Sequence, residues 1–240
     1  WVSYAHGLLL AFGGALLLLL AGDHFWLLAG AFSGFLVVAP ILATGLYALS
    51  RALDRGEAAD ARLVLQTWLS WRHSSTDAGG KDWRLVQFGL LLGLAGTGWV
   101  LTSAALITLF SPQPVHSVTD FLRYVVVAPE HFLFTLWLAL GGVLAAPVFA
   151  STAVAIPLLL DRRISLLDAV LTSWRCVLAN PVVMAFWASL IMLLTLLGMA
   201  ALLLGLVLMI PLLGHASWHA YRDLVDAALL PERVSAQRSR

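Results

Sequence analysis

The sequence predicts an all-α polytopic membrane protein: six transmembrane helices arranged as three hairpins, with two cytoplasmic interfacial amphipathic helices. Three observations lead there. Of 240 residues, 61% are hydrophobic and 11% charged, with a mean hydropathy of +0.92, against roughly 45–50% apolar and about 25% charged in an ordinary soluble domain. Uncharged runs long enough to cross the bilayer, about 20 helical residues for about 30 Å of hydrocarbon, recur along the chain. The basic residues then fall almost entirely on one side of the resulting topology. The whole chain, 1–240, reads as a single membrane domain.

The first span covers about 5–22. No basic residue precedes it and no small-residue cleavage site follows it, which speaks against a cleaved signal peptide. A start at Trp1 instead of Met points to residues upstream. Asp23-His24 make a polar turn, and the second span, about 25–50, returns to Arg51. Charges of both signs and Gly79-Gly80 mark the next segment. Within it Val64, Trp68 and Trp71 recur at spacings of four and three, predicting an amphipathic helix over 60–73 in the headgroup layer, where Trp is favoured. The third span, 85–110, carries Gly89, Gly93, Gly96 and Gly98, and glycines at such spacing let another helix approach closely in lipid.

Ser111-Pro-Gln-Pro114 ends that helix, and a loop with an apolar strip, Tyr124 to Val127, leads to the fourth span, 132–160, closed by Asp161-Arg162-Arg163. A second amphipathic helix over 164–179 follows. Ser165 with Asp168 reads as an N-cap and its capping-box partner, and Ile164, Leu167, Leu171, Trp174 and Leu178 share one face. Asn180-Pro181 reads as a cap with proline in the first turn. The uncharged stretch 182–221 would be about 60 Å long as one helix, twice the hydrocarbon thickness. It therefore predicts two spans, 182–199 and 201–221, turning near Gly198-Met199 or at Gly205.

Of fourteen basic residues, thirteen lie in the 51–84 loop, the 161–180 loop or the C-terminal tail, and only Arg123 lies on the other side. This places both termini and both long loops in the cytoplasm. The even-numbered spans each carry a helix-break proline, Pro40, Pro147 or Pro211, then small residues and a charged end at Arg51 and Asp54, Asp161 and Arg162, or Arg222 and Asp223. Ser70-Trp71-Arg72 and Ser173-Trp174-Arg175 match in the two amphipathic helices, so three hairpin repeats are expected, two of them followed by an interfacial helix.

Pro157-Leu-Leu-Leu-Asp161-Arg, Val177-Leu-Ala-Asn180-Pro181, Gly45-Leu-Tyr-Ala-Leu-Ser-Arg51 and above all the GHASWHAYRDLV string from Gly214 to Val225 resemble a family of predicted integral membrane proteins of unknown function, found mainly in proteobacteria. The resemblance covers most of the chain and implies a bacterial inner-membrane protein of about six helices. It carries no activity and no catalytic residue.

The chemistry must come from the residues themselves, and the densest cluster is His215, His219, Tyr221, Arg222 and Asp223. His215 and His219 are four apart, on one helix face about a turn from each other. That spacing serves a metal or an axial haem ligand, or two interfacial histidines hydrogen-bonded near a helix C-terminus. No third or fourth ligand is evident, and no cofactor is predicted outright. The pairs Arg51 with Asp54 and Arg222 with Asp223 suggest an ion-pair collar, with Thr44, Ser151 and Ser217 as the hydroxyls of a substrate path. No Asp, Glu, Lys or Arg lies within a span, which argues against a proton-driven pump. A single cysteine, Cys176, excludes an internal disulfide and a CxxC site. No P-loop, GxSxG or HExxH occurs. Scattered basic residues do not support nucleic-acid binding; Arg62, Arg72, Arg163 and Arg175 fit contact with anionic lipids.

The expected function is a non-enzymatic accessory or assembly subunit of a larger inner-membrane complex, with a membrane-protein partner. The alternatives are a channel or carrier of a small or lipidic substrate, and a metal- or haem-binding redox protein using His215 and His219.

Overall fold

In the computed structural model, residues 1–21, 24–69, 83–130, 132–228 and 230–233 are described. Their regular structure is helical apart from one isolated antiparallel bridge between Arg162 and Glu232. The helices are α1 (Val2–Ala21), α2 (Phe25–Asp54), α3 (Ala61–Leu69), α4 (Arg84–Phe110), α5 (Val118–Phe121) running into a π-turn (Leu122–Val126), α6 (Phe132–Thr152), α7 (Ala155–Asp161), α8 (Leu166–Ala179), α9 (Pro181–Ala200) and α10 (Leu206–Leu224). Among the described residues, four helices are long and apolar enough to cross a membrane: Val2–Leu20, Arg84–Phe110, Phe132–Asp161 taken through its break, and Pro181–Ala200.

The prolines act differently from the expectation. Helices α2, α6 and α10 run through Pro40, Pro147 and Pro211 without interruption. The expected 132–160 helix breaks instead at 153–154, four residues before Pro157. Proline cannot donate to the carbonyl four residues back, and its ring clashes there, so the helix ends and restarts with Pro157 in the first turn of α7. The N–H of Val154, freed by the break, donates to Ser173 Oγ on α8 at 3.2 Å. Burial of Ser173 is thereby explained.

Two further local features follow from backbone needs. Ser165 caps α8 by accepting from the Asp168 amide at 3.1 Å. Asn180 stands at the start of α9 but makes no cap bond there; its side chain donates back to Cys176 O at 3.2 Å, closing α8 instead. The turn between α9 and α10 falls between the two expected glycines, at Leu202 and Leu203, whose φ angles of 54° and 66° are left-handed. The glycines serve a second purpose, because a Cβ on Gly205 would stand 2.7 Å from Gly198 Cα. The hairpin closes that tightly only without side chains at both positions.

Packing gives the bundle two ends. At one, the C-termini of α2, α7 and α10 meet the N-terminus of α1 around a core holding Leu49, Leu158, Leu159, Trp218 and Tyr221. At the other, Phe25 stacks on Phe121 with ring centroids 5.5 Å apart, and Val125 and Ile107 are buried beneath the 111–130 loop. Helix α2 packs most extensively on α4, and α1 on α10. The expected span 201–221 appears as α10 (Leu206–Leu224), and α1 and α2 pack against it.

Candidate functional site

The charged residues at the ends of α2 and α7 are organised around Asp161, the last residue of α7, which is 1% exposed. Its Oδ2 accepts from the Tyr221 hydroxyl at 2.9 Å and from Arg162 Nε at 3.0 Å. Its Oδ1 faces Arg51 at 3.7 Å and Arg55 at 3.9 Å, with no hydrogen bond of its own. Such spacing binds through charge more than through directed hydrogen bonds. Arg51 also donates to Leu160 O at 3.3 Å. The Arg162 guanidinium is held above its ordinary range: burial lowers it, and the adjacent Asp161 carboxylate and Tyr221 together more than offset that.

The C-terminal segment completes the cluster. Glu232 accepts from Arg55 at 3.1 Å and lies 3.7 Å from Arg162. Arg233 donates its amide to Asp161 O at 2.9 Å and its guanidinium to Leu159 O at 3.1 Å. Arg163 N bonds Pro231 O at 2.9 Å and Arg162 reaches Leu230 O at 3.0 Å. Residues 230–233 therefore strap across the ends of α2 and α7.

A collar of charge thus exists where the ends of α2 and α7 meet α10, but its pairing differs from the expected one. Arg51 turns to Asp161 and not to Asp54, because Asp54 instead accepts from Trp218 Nε1 at 2.8 Å. Two aromatic residues three apart on α10, Trp218 and Tyr221, thus hold the aspartates that end α2 and α7. Arg222 and Asp223 lie outside the collar, exposed, and line a shallow cleft of about 340 Å³ with Arg162 and Asp226.

His215 and His219 part company. His215 has both ring nitrogens engaged, Nδ1 with Ser50 Oγ at 2.6 Å and Nε2 with Ser3 Oγ at 2.9 Å, so it bridges α2, α10 and α1. His219 is exposed. No group of three or more His, Cys, Asp or Glu side chains able to hold a metal occurs among the described residues. The hydroxyls of the expected substrate path are also engaged: Thr44 with Ile41 O at 2.6 Å, Ser151 with Trp174 Nε1 at 3.0 Å, and Ser217 with the Tyr47 hydroxyl. His6 bonds Val2 O and packs edge-on against Trp68 in a notch that exists because residue 45 is glycine, while its Nε2 has no hydrogen-bond partner.

Arg62, Arg163 and Arg175 are exposed, whereas Arg72 and the Ser70-Trp71-Arg72 match lie outside the described residues. Sequence reasoning missed Asp161 as the centre. The signal was present in the equal spacing of fourteen from Pro40 to Asp54 and from Pro147 to Asp161.

Helices that cross a membrane by length and composition, tied at one end by a buried charge cluster, define a multi-pass integral membrane protein. The chain belongs to the family described as predicted integral membrane protein (DUF2189), whose pattern matches residues 27–161, from the start of α2 to Asp161 itself. No curated protein and no solved structure matches it.

Proposed function

We propose that this chain is a six-span protein of the bacterial inner membrane, with both termini cytoplasmic, serving as a non-enzymatic accessory or assembly subunit of a larger membrane complex. Helices α2 and α10 are the second and sixth crossings. The collar end faces the cytoplasm, since thirteen of the fourteen basic residues belong to segments on that side. Helices α3 and α8 lie in the interface there, with Arg62, Arg163 and Arg175 against anionic headgroups. The Gly214 to Val225 string, outside the matched segment, is a mark of the proteobacterial members.

The observation that carries this proposal is the direction in which the chemistry points. Tyr221 closes on Asp161, Trp218 on Asp54 and His215 on Ser50 and Ser3, all within the bundle, and the outward surfaces are apolar helix flanks. Helix α9 is the extreme case, with 11% of its span buried and contacts to α8 and α10 alone among the stronger helix pairs. An apolar flank of this kind is open to lipid or to a neighbouring membrane helix, and the proposed role takes the second.

Extraction in a mild detergent followed by native electrophoresis and mass spectrometry tests the role. A reproducible larger species containing a second membrane protein is expected. A single homogeneous species holding this chain alone overturns it.

A further inference from the structure

We infer that Arg55 and Arg162 form a binding site for a phosphate oxyanion, which the chain keeps occupied with its own Glu232 carboxylate. The two guanidiniums come from separate elements, one just past α2 and one just past α7, and converge on the two oxygens of a single carboxylate at 3.1 and 3.7 Å. Paired arginine forks are the arrangement that recognises a planar carboxylate or a phosphate. The cradle is set from below: Arg162 is fixed by Asp161 at 3.0 Å and by Leu230 O at 3.0 Å, and Arg55 faces the same Asp161 at 3.9 Å. Asp161 is buried and cannot follow solvent anions.

Glu232 is different, because its side chain is 49% exposed and it belongs to a short strap. Four arginines, 51, 55, 162 and 233, gather here with four carboxylates, Asp54, Asp161, Glu57 and Glu232. Lifting Glu232 away leaves an excess of one positive charge at one end of the membrane-crossing helices, the level at which the proposed topology sets lipid phosphates. An exposed carboxylate holds such a place weakly, and a phosphate brings more oxygens and at least equal charge to the same two forks. The source is either an anionic lipid headgroup or free phosphate. The site is independent of the assembly role, since it is read on the purified chain without a partner.

Native mass spectrometry of the detergent-solubilised full chain, titrated separately with phosphatidylglycerol, phosphatidylcholine and inorganic phosphate, decides it. Glu232→Gln is expected to raise retention of phosphatidylglycerol about fivefold over the unsubstituted chain, the upper end for release of an exposed ion pair. Phosphatidylcholine retention stays unchanged, and Arg55→Gln abolishes the gain. The same pattern with inorganic phosphate and none with phosphatidylglycerol supports the site with free phosphate as its ligand. If Glu232→Gln binds neither anion more tightly, the inference is overturned and the strap is a structural brace alone. Circular dichroism checks that each variant is folded, and the Glu232→Gln result, at a half-exposed side chain, stands by itself if Arg55→Gln does not fold.

Discussion

Replacing Asp161 by alanine tests the collar most sharply, and its cost can be worked from the geometry. The carboxylate faces Arg162 at 3.0 Å, Arg51 at 3.7 Å and Arg55 at 3.9 Å, and takes the Tyr221 hydroxyl at 2.9 Å. The side chains of Arg51 and Arg162 are only 11% and 9% exposed, so removing the anion strands two cations away from water. Breaking a buried pair this way costs about 3–5 kcal/mol. Tyr221→Phe removes one hydrogen bond to a charged acceptor, about 1.5–3 kcal/mol. Arg55→Gln, at 25% exposure, costs at most about 1 kcal/mol. Denaturant unfolding in detergent, followed by circular dichroism, should therefore rank Asp161→Ala above Tyr221→Phe and Tyr221→Phe above Arg55→Gln. An Asp161→Ala protein within about 0.5 kcal/mol of the parent, the range of an ordinary surface substitution, refutes the view that this carboxylate holds three elements together.

Other outcomes follow from single sites. Gly7→Ala would put a Cβ 2.6 Å from Leu206 O and Val207 Cα, backbone atoms that cannot turn aside, so α1 separates from α10 and thermal stability in detergent falls by about 1–3 kcal/mol. His215→Ala leaves Ser50 and Ser3 without their shared partner and costs about 1–3 kcal/mol; elemental analysis and a Soret scan of the parent protein are expected to show neither metal nor haem, and a stoichiometric metal lost in this variant would contradict the structural role of the histidine. The Ser117 hydroxyl, joined by the His116 and Ser117 amides, holds the Asp120 carboxylate below its usual range. Its contribution to the 111–130 loop is therefore fully present above the unfolded carboxylate range and is lost as pH falls through the folded value. Amide exchange there, corrected for its intrinsic pH dependence, should accelerate below about pH 4, and Asp120→Asn should remove that dependence.

Much of the helix pattern was legible because it depends on local composition. Ser165 and Asp168 announced the start of α8, and the length limit on a helix announced a turn inside 182–221. The break at 153–154 is legible in Pro157, which offers no N–H to the carbonyl of residue 153, whereas the helix absorbs Pro147. The candidate site was half legible. Residue spacing gave aspartates at equivalent helix ends, but a sequence cannot say which neighbour an aspartate meets when the partner lies 60 residues away, as Tyr221 does from Asp161. The paired histidines show the same limit. Four-residue spacing sets a common helix face, and the register of α10 against α1 and α2 then seats a half-buried His215 between two serines while leaving His219 exposed.

Site-directed labelling bears most directly on the central claim, a bundle crossing the membrane with its charged collar on the cytoplasmic side. In a Cys176→Ser background, Gln113→Cys marks the exposed loop at the far end and Ala58→Cys the exposed segment beside the collar. A membrane-impermeant maleimide added to intact spheroplasts should label position 113 at once and position 58 only after permeabilisation. Equal labelling of both in intact spheroplasts, or the reverse order, would contradict it.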